Sequence, residues 1–545
     1  MTFYERILAF LMSIIAIFTG VNSGVQQAKP IRNNDFTYLE YSTDAVKTLK
    51  SAGLTVESYT ARADANGTDY EQAQGYDDIN GIIPSPYFKI YVGSKKVPAY
   101  ATTAFVGTTQ SGELHSFSEI YVADKSDFNF QMQLNTTAIS ISSVTIFPRN
   151  KTYDYTFTNN VLNFKIEDYG TYTFLFNGDD QAHSFTLFVR PQVNDQAIID
   201  MLVGQYGADN VTVFEPGLHK LDYISITQNS AIYMKPGAYL LANHKYDIMS
   251  DADDQATVED GASSNNGIGL SRYPFINVYG VSSVKIYGYG AIDMSHLDRH
   301  ERRGMVFTFS QNIEVNGPKI INCPEWSFIT YQCDNVSVVN TDIFGYKQNS
   351  DAYAICNSRN VTVDNSFCRS GDDLFDVKTL GGDENAVSRN VTFTNCYAWA
   401  GKARCFGICG EINKPISDIT FRDCTVIYHD ATWDTNRITA LAIIAEQGGG
   451  SIDNLTYENI DIYCAKGRAI GCLIYGSDVE NLSITNITYK NINYTSALPN
   501  KFTSNSMTTN TIQASLSGIY CNGMPVNTLS TDYFEYDSYA NITVS

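Results

Sequence analysis

The sequence is short of positive charge. Its 545 residues include 37 Lys and Arg against 58 Asp and Glu, which gives a formal net charge of −21 at pH 7. A surface with this excess of carboxylates repels phosphate groups, so we expect neither nucleic acid nor an anionic membrane surface as a partner. Polyanionic substrates are disfavoured for the same reason, unless a local cluster of Arg side chains overrides the overall field.

Cysteine is missing from the first part of the chain, and all eleven Cys lie between Cys323 and Cys521. An odd number without a Cys-x-x-Cys pair or paired His argues against both a complete disulfide framework and a zinc site. Cys396 and Cys424 take equivalent places in two neighbouring repeats, so we predict that they stack as small core residues. One or two disulfides remain compatible with an exported protein.

Long apolar runs are also missing, except near the amino terminus. Arg6 precedes the apolar run Ile7–Phe18, and small residues follow at Val21–Ser23. This run is too short for a comfortable membrane span and has the order of a secretory signal, so we expect residues 1–23 to be a signal peptide. An uncleaved anchor is the alternative. We predict a secreted, monomeric mature protein without membrane association.

A short phrase recurs in the second half of the chain. Asn or Asp precedes an aliphatic residue, Ser or Thr follows in most copies, and then comes another apolar residue, as in Asn335-Val-Ser-Val and Asn360-Val-Thr-Val. Such self-similarity, with alternating Val, Ile, Thr, Phe and Tyr and almost no Pro, predicts a right-handed parallel β-helix with several strands per coil. The aliphatic anchors, 23 to 36 residues apart, are Val284, Ile313, Val336, Val361, Val391, Ile419, Leu455 and Leu482.

The chain before the repeats has a different residue pattern. Residues 24–80 are polar and mixed, and we assign them to an irregular arm. Alternating segments over residues 81–195, such as Thr171–Phe176, predict about seven short strands of a β-sandwich. The fold class is therefore all-β, with an N-terminal sandwich and a parallel β-helix.

The β-helix domain is predicted to comprise residues 196–545. It begins with a short connecting helix at 196–206, and a polar insertion at 246–269 interrupts the early coils as a candidate substrate wall. After Asn493 the periodicity fades, and we assign the tail to a cap on the last coil.

Three carboxylates recur at the spacing of one repeat. Asp351 lies 15 residues after its anchor, and Asp372 and Asp373 lie 11 and 12 residues after theirs. Because coils stack at about 4.8 Å, these groups come within the range of a glycosidase pair, roughly 5 Å for retention and 6.5–9.5 Å for inversion. Like charges that close keep one carboxyl protonated as an acid. Gly371 gives the chain the freedom to turn both neighbouring side chains into the groove.

Other polar or aromatic residues fall near the same offsets and are candidate substrate-binding residues. Trp326 is a sugar platform or a packing residue, and His429 is more readily a subsite or turn residue than a catalyst. A solvated turn is the simplest alternative for an Asp-Asp pair, and a calcium site is a second one. The candidates are Glu325, Trp326, Lys347, Arg404, His429 and Arg468.

The order Asn349-Ser-Asp, Gly371-Asp-Asp and Gly401–Gly410 resembles the polygalacturonase clan: glycoside hydrolase family 28 and its relative family 49, the dextranases and isopullulanases. The resemblance covers residues 211 to about 490 as a fold, and the N-terminal sandwich is more similar to family 49. It implies inverting hydrolysis without metal or cofactor. By resemblance Asp372 is the acid, and Asp351 and Asp373 activate water.

Two departures from the family pattern bear on the substrate. Ala403-Arg404 stands where polygalacturonases carry Gly-His-Gly, and Arg437-Ile-Thr is the nearest fragment to an Arg-x-Lys pair that would grip a uronate. We therefore predict a neutral α-linked glycan, with Arg404 orienting the acid or binding hydroxyls. Two alternatives remain open: a calcium-dependent polysaccharide lyase with Arg404 as base, and a noncatalytic glycan-binding protein.

Overall fold

The computed structural model describes eleven stretches of the chain. The predicted signal peptide, most of the predicted arm and the insertion at 246–269 lie outside them. Within the described stretches no helix is long and apolar enough to cross a membrane. The described residues are 36–46, 81–106, 111–124, 130–136, 139–178, 180–244, 274–298, 300–382, 385–505, 507 and 509–545.

The first domain is the predicted β-sandwich, built from a seven-stranded and a five-stranded sheet. Alternating side chains of both sheets, such as Ile90, Leu134 and Phe174, meet in one core. Its strands are β1 Phe36–Tyr38, β2 Ile82–Pro84, β3 Phe88–Val92, β4 Lys95–Val97, β5 Tyr100–Val106, β6 Ser111–Val122, β7 Phe130–Thr136, β8 Val144–Phe147, β9 Tyr155–Thr158, β10 Val161–Ile166, β11 Gly170–Phe176 and β12 Asp180–Pro191.

Part of the predicted arm is ordered structure instead. Strand β1 pairs antiparallel with β6, with Phe36 opposite Val122. Leu39 and Tyr41 are buried against the interface between the two domains. These apolar side chains give the segment a place in the core, which its mixed composition did not reveal.

A single described α-helix, α1 Asp195–Tyr206, connects the domains. The side chain of Asn194 accepts from the N–H of Ala197 and caps its amino end. Ile198 and Leu202 pack on Tyr233 of the first β-helix coils, so the helix covers the open end of the solenoid.

The second domain is the parallel β-helix. Its strands are β13 Val211–Phe214, β14 Gly217–Leu221, β15 Ile224–Ile226, β16 Ser230–Met234, β17 Ala238–Ala242, β18 Ile276–Tyr279, β19 Val284–Tyr287, β20 Ala291–Asp293, β21 Met305–Thr308, β22 Gln311–Asn316, β23 Lys319–Ile321, β24 Phe328–Tyr331, β25 Asp334–Val339, β26 Asp342–Phe344, β27 Tyr353–Cys356, β28 Arg359–Asp364, β29 Phe367–Ser370, β30 Phe375–Lys378, β31 Ser388–Thr394, β32 Tyr397–Ala400, β33 Phe406–Glu411, β34 Ile416–Arg422, β35 Thr425–His429, β36 Thr439–Gln447, β37 Ser451–Ala465, β38 Arg468–Ile474, β39 Ser483–Ser496, β40 Asn500–Thr503, β41 Thr511–Cys521, β42 Met524–Val526, β43 Phe534–Tyr536 and β44 Ala540–Val544.

Three strands make one coil, and equivalent strands stack into three parallel ladders. The first ladder carries the repeat phrase, the second follows it, and the third runs from β15 to β43. Inside the coils the stacked rings of Phe421, Tyr457 and Tyr489 have centroids 4.9 Å apart. This separation is close to the predicted coil step.

The repeat phrase works through its Asn residues, which adopt left-handed backbone conformations. Asn335, Asn360 and Asn390 have φ of 58°, 56° and 54°, values that Asn tolerates better than most residues. Each side-chain amide reaches back one coil, as Asn390 does in donating to Asn360 at 2.7 Å. The phrase thus fixes one turn per coil and its register.

The predicted anchors pair in order from Val284 to Leu455, but the last one is wrong. Leu455 pairs with Ile487 instead of Leu482, because the phrase Ile484-Thr-Asn-Ile repeats Ile452-Asp-Asn-Leu more closely. The expected loss of periodicity after Asn493 is also wrong, since β39, β41 and β44 continue the first ladder to Val544.

The sandwich packs against the second ladder through aromatic rings and buried charges. Phe117 and Phe188 meet Phe344 across the interface. Beside them Asp342 lies 3.0 Å from both Arg190 and Lys319. Lys319 also contacts Glu119, and these four charged side chains are at most 1% exposed. Such pairs stay buried only when their partners are fixed, so the two domains form one unit.

The ten cysteines whose side chains the structure describes are buried thiols without disulfides. Cys396 and Cys424 lie in the cores of neighbouring coils, as predicted, one residue before the paired Tyr397 and Thr425.

Candidate active site

The candidate site lies in the turns between the second and third ladders. Backbone hydrogen bonds tie these turns together: Ala352 donates to the carbonyl of Asp373 at 2.8 Å, and Leu374 donates to that of Arg404 at 3.0 Å. One coil earlier Ser327 donates to the carbonyl of Asp351 at 2.8 Å. The predicted column of Asp351, Asp373 and Arg404 therefore exists, one residue per coil.

Asp372 and Asp373 occupy the four-residue turn between β29 and β30. The alternation of side chains in a strand does not apply there, so both can be held at the site. The φ of Gly371 is not in the left-handed region, and the bend needs only the turn itself. The expected special role of Gly371 is thus not seen.

Hydroxyl groups and a glycine bring the two acidic turns close together. Ser350 and Ser370 share a hydrogen bond of 2.8 Å. A Cβ on Gly345 would lie 2.1 Å from the Ser370 hydroxyl, so only Gly fits. The Asp372 carboxylate accepts from the backbone N–H groups of Asn349 and Asp373, both at 3.1 Å.

A buried lysine that sequence reasoning missed lies beneath Asp351. The Lys378 ammonium is 3.6 Å from Asp351, 3.0 Å from Asp376 and 3.4 Å from Glu411. Asp376 and Lys378 lie two residues apart in β30, so their side chains share the face that points away from the solenoid core. The sequence signal for this lysine was the alternation in Phe375-Asp-Val-Lys, which places two opposite charges on the outer face of the strand.

A second cation supports Asp373. The Arg404 backbone N–H and guanidinium both contact that carboxylate, at 3.1 Å and 3.2 Å. Its other terminal nitrogen lies 3.1 Å from Glu446, which also pairs with Arg437 at 3.3 Å. Arg404 therefore lies beside the catalytic candidates, as predicted. The sequence did not predict that Glu446 would pair with it.

The predicted aromatic flank lies one coil before Asp351. Glu325 is paired with Arg303 at 2.8 Å. The half-buried ring of Trp326 lies between two cations, with its centroid 4.9 Å from the Arg303 guanidinium and 4.8 Å from the Lys378 ammonium. Trp326 thus contacts the same lysine that underlies Asp351.

Two further candidates are engaged elsewhere. Lys347 donates to the backbone carbonyls of Ser295 and Leu297. Arg468 stays in the column, opposite Thr439. Its guanidinium binds the Thr435 and Pro499 carbonyls, each at 2.7 Å, and Glu535, also at 2.7 Å.

The expected place of His429 in the column is wrong. It ends β35 opposite Ala400 and is fully buried. The turn 430–438 that follows is longer than the turns 371–374 and 401–405 in the two preceding coils, so counting from the anchor misplaces this residue. Burial lowers the pKa of His429 to about 4.

Burial and mutual repulsion shape the titration of the site. Burial, followed by the charge of Asp372, raises the pKa of Asp351 well above its usual range. Burial and Asp373 likewise raise the pKa of Asp372. Burial also raises the pKa of Asp376 to about 7, although Lys378 opposes this. These carboxyls titrate as a set that retains protons above the ordinary carboxyl range.

Asp373, Asp376 and Cys409 bring ligand atoms within 4.8 Å of one another. A hard cation such as calcium prefers oxygen ligands to a thiol. The ammonium of Lys378 and the guanidinium of Arg404 already neutralise the two carboxylates. The residues present therefore fit a calcium ion poorly.

Comparisons with known proteins show which class of protein this chain belongs to. Residues 275–533 match the family model described as glycosyl hydrolases family 28. The chain is a glycoside hydrolase of the polygalacturonase-like clan, as the motifs predict. No curated protein matches the sequence.

Several solved structures are similar to this chain at low sequence identity. Dex49A from Penicillium minioluteum is 12% identical, with a TM-score of 0.57 over 85% of this chain and 95% of its own. A family 28 exopolygalacturonase from Yersinia enterocolitica is 13% identical, with a TM-score of 0.43 over 76% and 96% of the two chains. The first likeness supports the predicted fold class of a parallel β-helix.

Proposed function

We propose that the protein hydrolyses α-glycosidic bonds of a neutral poly- or oligosaccharide with inversion at the anomeric carbon. The observation that carries the neutral substrate is the pairing of the cations around the acidic turns. Lys378, Arg404 and Arg437 each lie within 3.6 Å of one or more carboxylates of the protein itself. Binding a uronate carboxylate there would require breaking such a pair.

The three carboxylates differ in a way that supports separate roles. Asp351 lies 3.6 Å from the Lys378 ammonium, and Asp373 lies 3.2 Å from the Arg404 guanidinium. Each therefore has a cation beside it, and we assign both to the activation of water. Asp372 is half-buried, and backbone N–H groups supply its hydrogen bonds. Burial raises the pKa of both Asp351 and Asp372. The Lys378 ammonium offsets a negative charge at Asp351, so we assign the retained proton, and with it the role of general acid, to Asp372.

In the proposed reaction Asp372 gives its proton to the glycosidic oxygen as the bond to the anomeric carbon breaks. A water positioned by Asp351 and Asp373 loses a proton to one of them and forms the new bond on the opposite face. Both carboxyls return to their starting states by exchange with solvent. No metal or cofactor takes part in this scheme, and we propose that the protein acts outside the cell, in keeping with its signal-like leader.

The test is a panel of α-glucans, α-galactosides and pectins assayed for reducing ends. We expect hydrolysis of at least one neutral glycan, with polygalacturonate hydrolysed far more slowly. Proton nuclear magnetic resonance should then show the inverted anomer as the first product. Release of the retained anomer would refute the mechanism, and preference for polygalacturonate would refute the neutral substrate.

Removal of metal ions distinguishes hydrolysis from elimination by a calcium-dependent lyase. Prolonged chelation should leave activity unchanged, because Lys378 and Arg404 already balance the carboxylates that a calcium ion would need. The control is a chelated sample resupplied with calcium. Restoration of lost activity by calcium, together with a product that absorbs as an unsaturated uronide, would favour the lyase.

A further inference from the structure

Phe309 has an unusual backbone conformation. Its φ is 51°, in the left-handed region, and its ring is 37% exposed. A bulky residue with positive φ is uncommon, because the left-handed form costs roughly 1–2 kcal/mol when Cβ is present. An exposed ring recovers little of that cost by burial. Local folding alone therefore does not favour Phe at this position.

The solenoid itself imposes the left-handed turn. Gly280, Gln332 and Asn357 hold the equivalent place in neighbouring coils, with φ of 65°, 51° and 48°. The backbone N–H of Phe309 donates to the carbonyl of Tyr331 in the next coil, at 3.0 Å. The backbone N–H groups of the other three residues each donate in the same way to a carbonyl of the following coil. Gly and Asn suit this geometry, so a phenyl ring there is better explained by its side chain than by its backbone.

A row of aromatic rings contains Phe309. The ring of Tyr279, 51% exposed, meets it edge to face at 5.6 Å. On the other side the buried ring of Tyr331 meets it at 5.8 Å, and the Tyr331 hydroxyl donates to the carbonyl of Gly381 at 2.9 Å. The two exposed rings are thus held by a fixed third one.

This row follows the same ladder edge as the active-site lysine. In the third ladder Tyr279 pairs with Thr308, then come Tyr331, Cys356 and Lys378 in register. Four coil steps of about 4.8 Å place Tyr279 roughly 19 Å from Lys378. That distance corresponds to several sugar units. The row of aromatic rings therefore lies on the amino-terminal side of the carboxylates, along the same face of the solenoid.

We propose that Tyr279 and Phe309 form a distal glycan subsite that stacks on the apolar faces of sugar units in a long substrate. The proposal rests on the proposed function and deepens it, because it makes the preferred substrate a polymer rather than a short oligosaccharide. Aromatic rings gain from contact with the apolar face of an uncharged pyranose. The occupant is therefore the unreacted part of the chain being cut.

Phe309→Asn is a sharp test, because Asn suits the backbone and removes the ring. The expected result is a KM for the long glycan raised about 2- to 10-fold, with kcat/KM for a short substrate unchanged. The melting temperature should stay the same or rise. Tyr279→Ala should give the same split between long and short substrates.

Two controls separate this effect from a general one. Gln332→Asn relieves a left-handed residue one coil away without removing a ring, and Tyr520→Ala removes a ring that is 47% exposed on another ladder. Neither should change the KM for the long glycan. Equal loss on long and short substrates, or no loss on either, would overturn the subsite. Failure to hydrolyse any glycan would instead refute the proposed function.

Discussion

Asp372→Asn should lower kcat on the natural glycan by a factor of about 10² to 10⁴, the usual contribution of a positioned proton transfer. An activated aryl glycoside has a leaving group that needs little protonation. On that substrate the same change should cost far less. The measurement is kcat on both substrates, with folding checked by circular dichroism.

The pH profile gives an independent check of this role. Burial and Asp373 raise the pKa of Asp372, so activity on the natural glycan should fall with rising pH only above the ordinary carboxyl range. Asp372→Asn should remove this alkaline limb for the aryl glycoside. Asp351→Asn and Asp373→Asn serve as matched controls, because a lost base gains no relief from a good leaving group. Near-normal turnover of the natural glycan by Asp372→Asn would contradict the assignment.

Lys378→Met should be the most destabilising change at the site. Met preserves the aliphatic bulk but leaves Asp351, Asp376 and Glu411 without their shared cation. Removing one partner of a buried ion pair costs about 3–5 kcal/mol of unfolding free energy. The measurement is denaturant unfolding at pH 8. Lys490→Met is the control, since its pair with Glu458 is exposed and is worth about 0–1 kcal/mol.

The cost of Lys378→Met should depend on pH in a defined direction. Burial raises the folded-state pKa of Asp376 from 3.8 to about 7. A carboxyl with a raised folded pKa contributes stability that is present below its unfolded pKa and is lost as the pH rises through the folded one. Loss of Lys378 raises that folded pKa further. The difference between variant and parent should therefore be small near pH 4 and largest above pH 7.

Activity should follow the same electrostatic logic. Without the ammonium, Asp351 holds its proton to higher pH, so the acid limb of kcat/KM should move upward in Lys378→Met. Lys378→Arg should restore part of the shift because it restores the charge. A variant with unchanged stability at pH 8 and an unchanged acid limb would show that Lys378 does not support Asp351.

The sequence by itself determined the architecture and the centre of the site. The phrase with Asn at the turn, as at Asn335 and Asn390, commits one residue per coil to a left-handed conformation that few other residues accept. Because each repeat is one coil, residues at matching offsets must stack. Asp351, Asp373 and Arg404 could therefore be placed together without coordinates, and their hydrogen bonds confirm it.

Only the tertiary structure decided which groups complete the site. The turn 430–438 is longer than its neighbours, so offset counting put His429 in the column when Thr439 is the residue there. Lys378 and Glu411 reach the carboxylates from the third strand of their coils, where a local pattern shows an outward charge but not its partner.

The joining of the two domains was likewise beyond the sequence. Arg190 and Asp342 are 152 positions apart in the sequence and meet only when the sandwich packs on the second ladder. Repeats specify contacts between equivalent positions, because the same backbone hydrogen bonds recur in every coil. Contacts between unlike elements depend on loop lengths and on the docking of whole sheets, which no local pattern encodes.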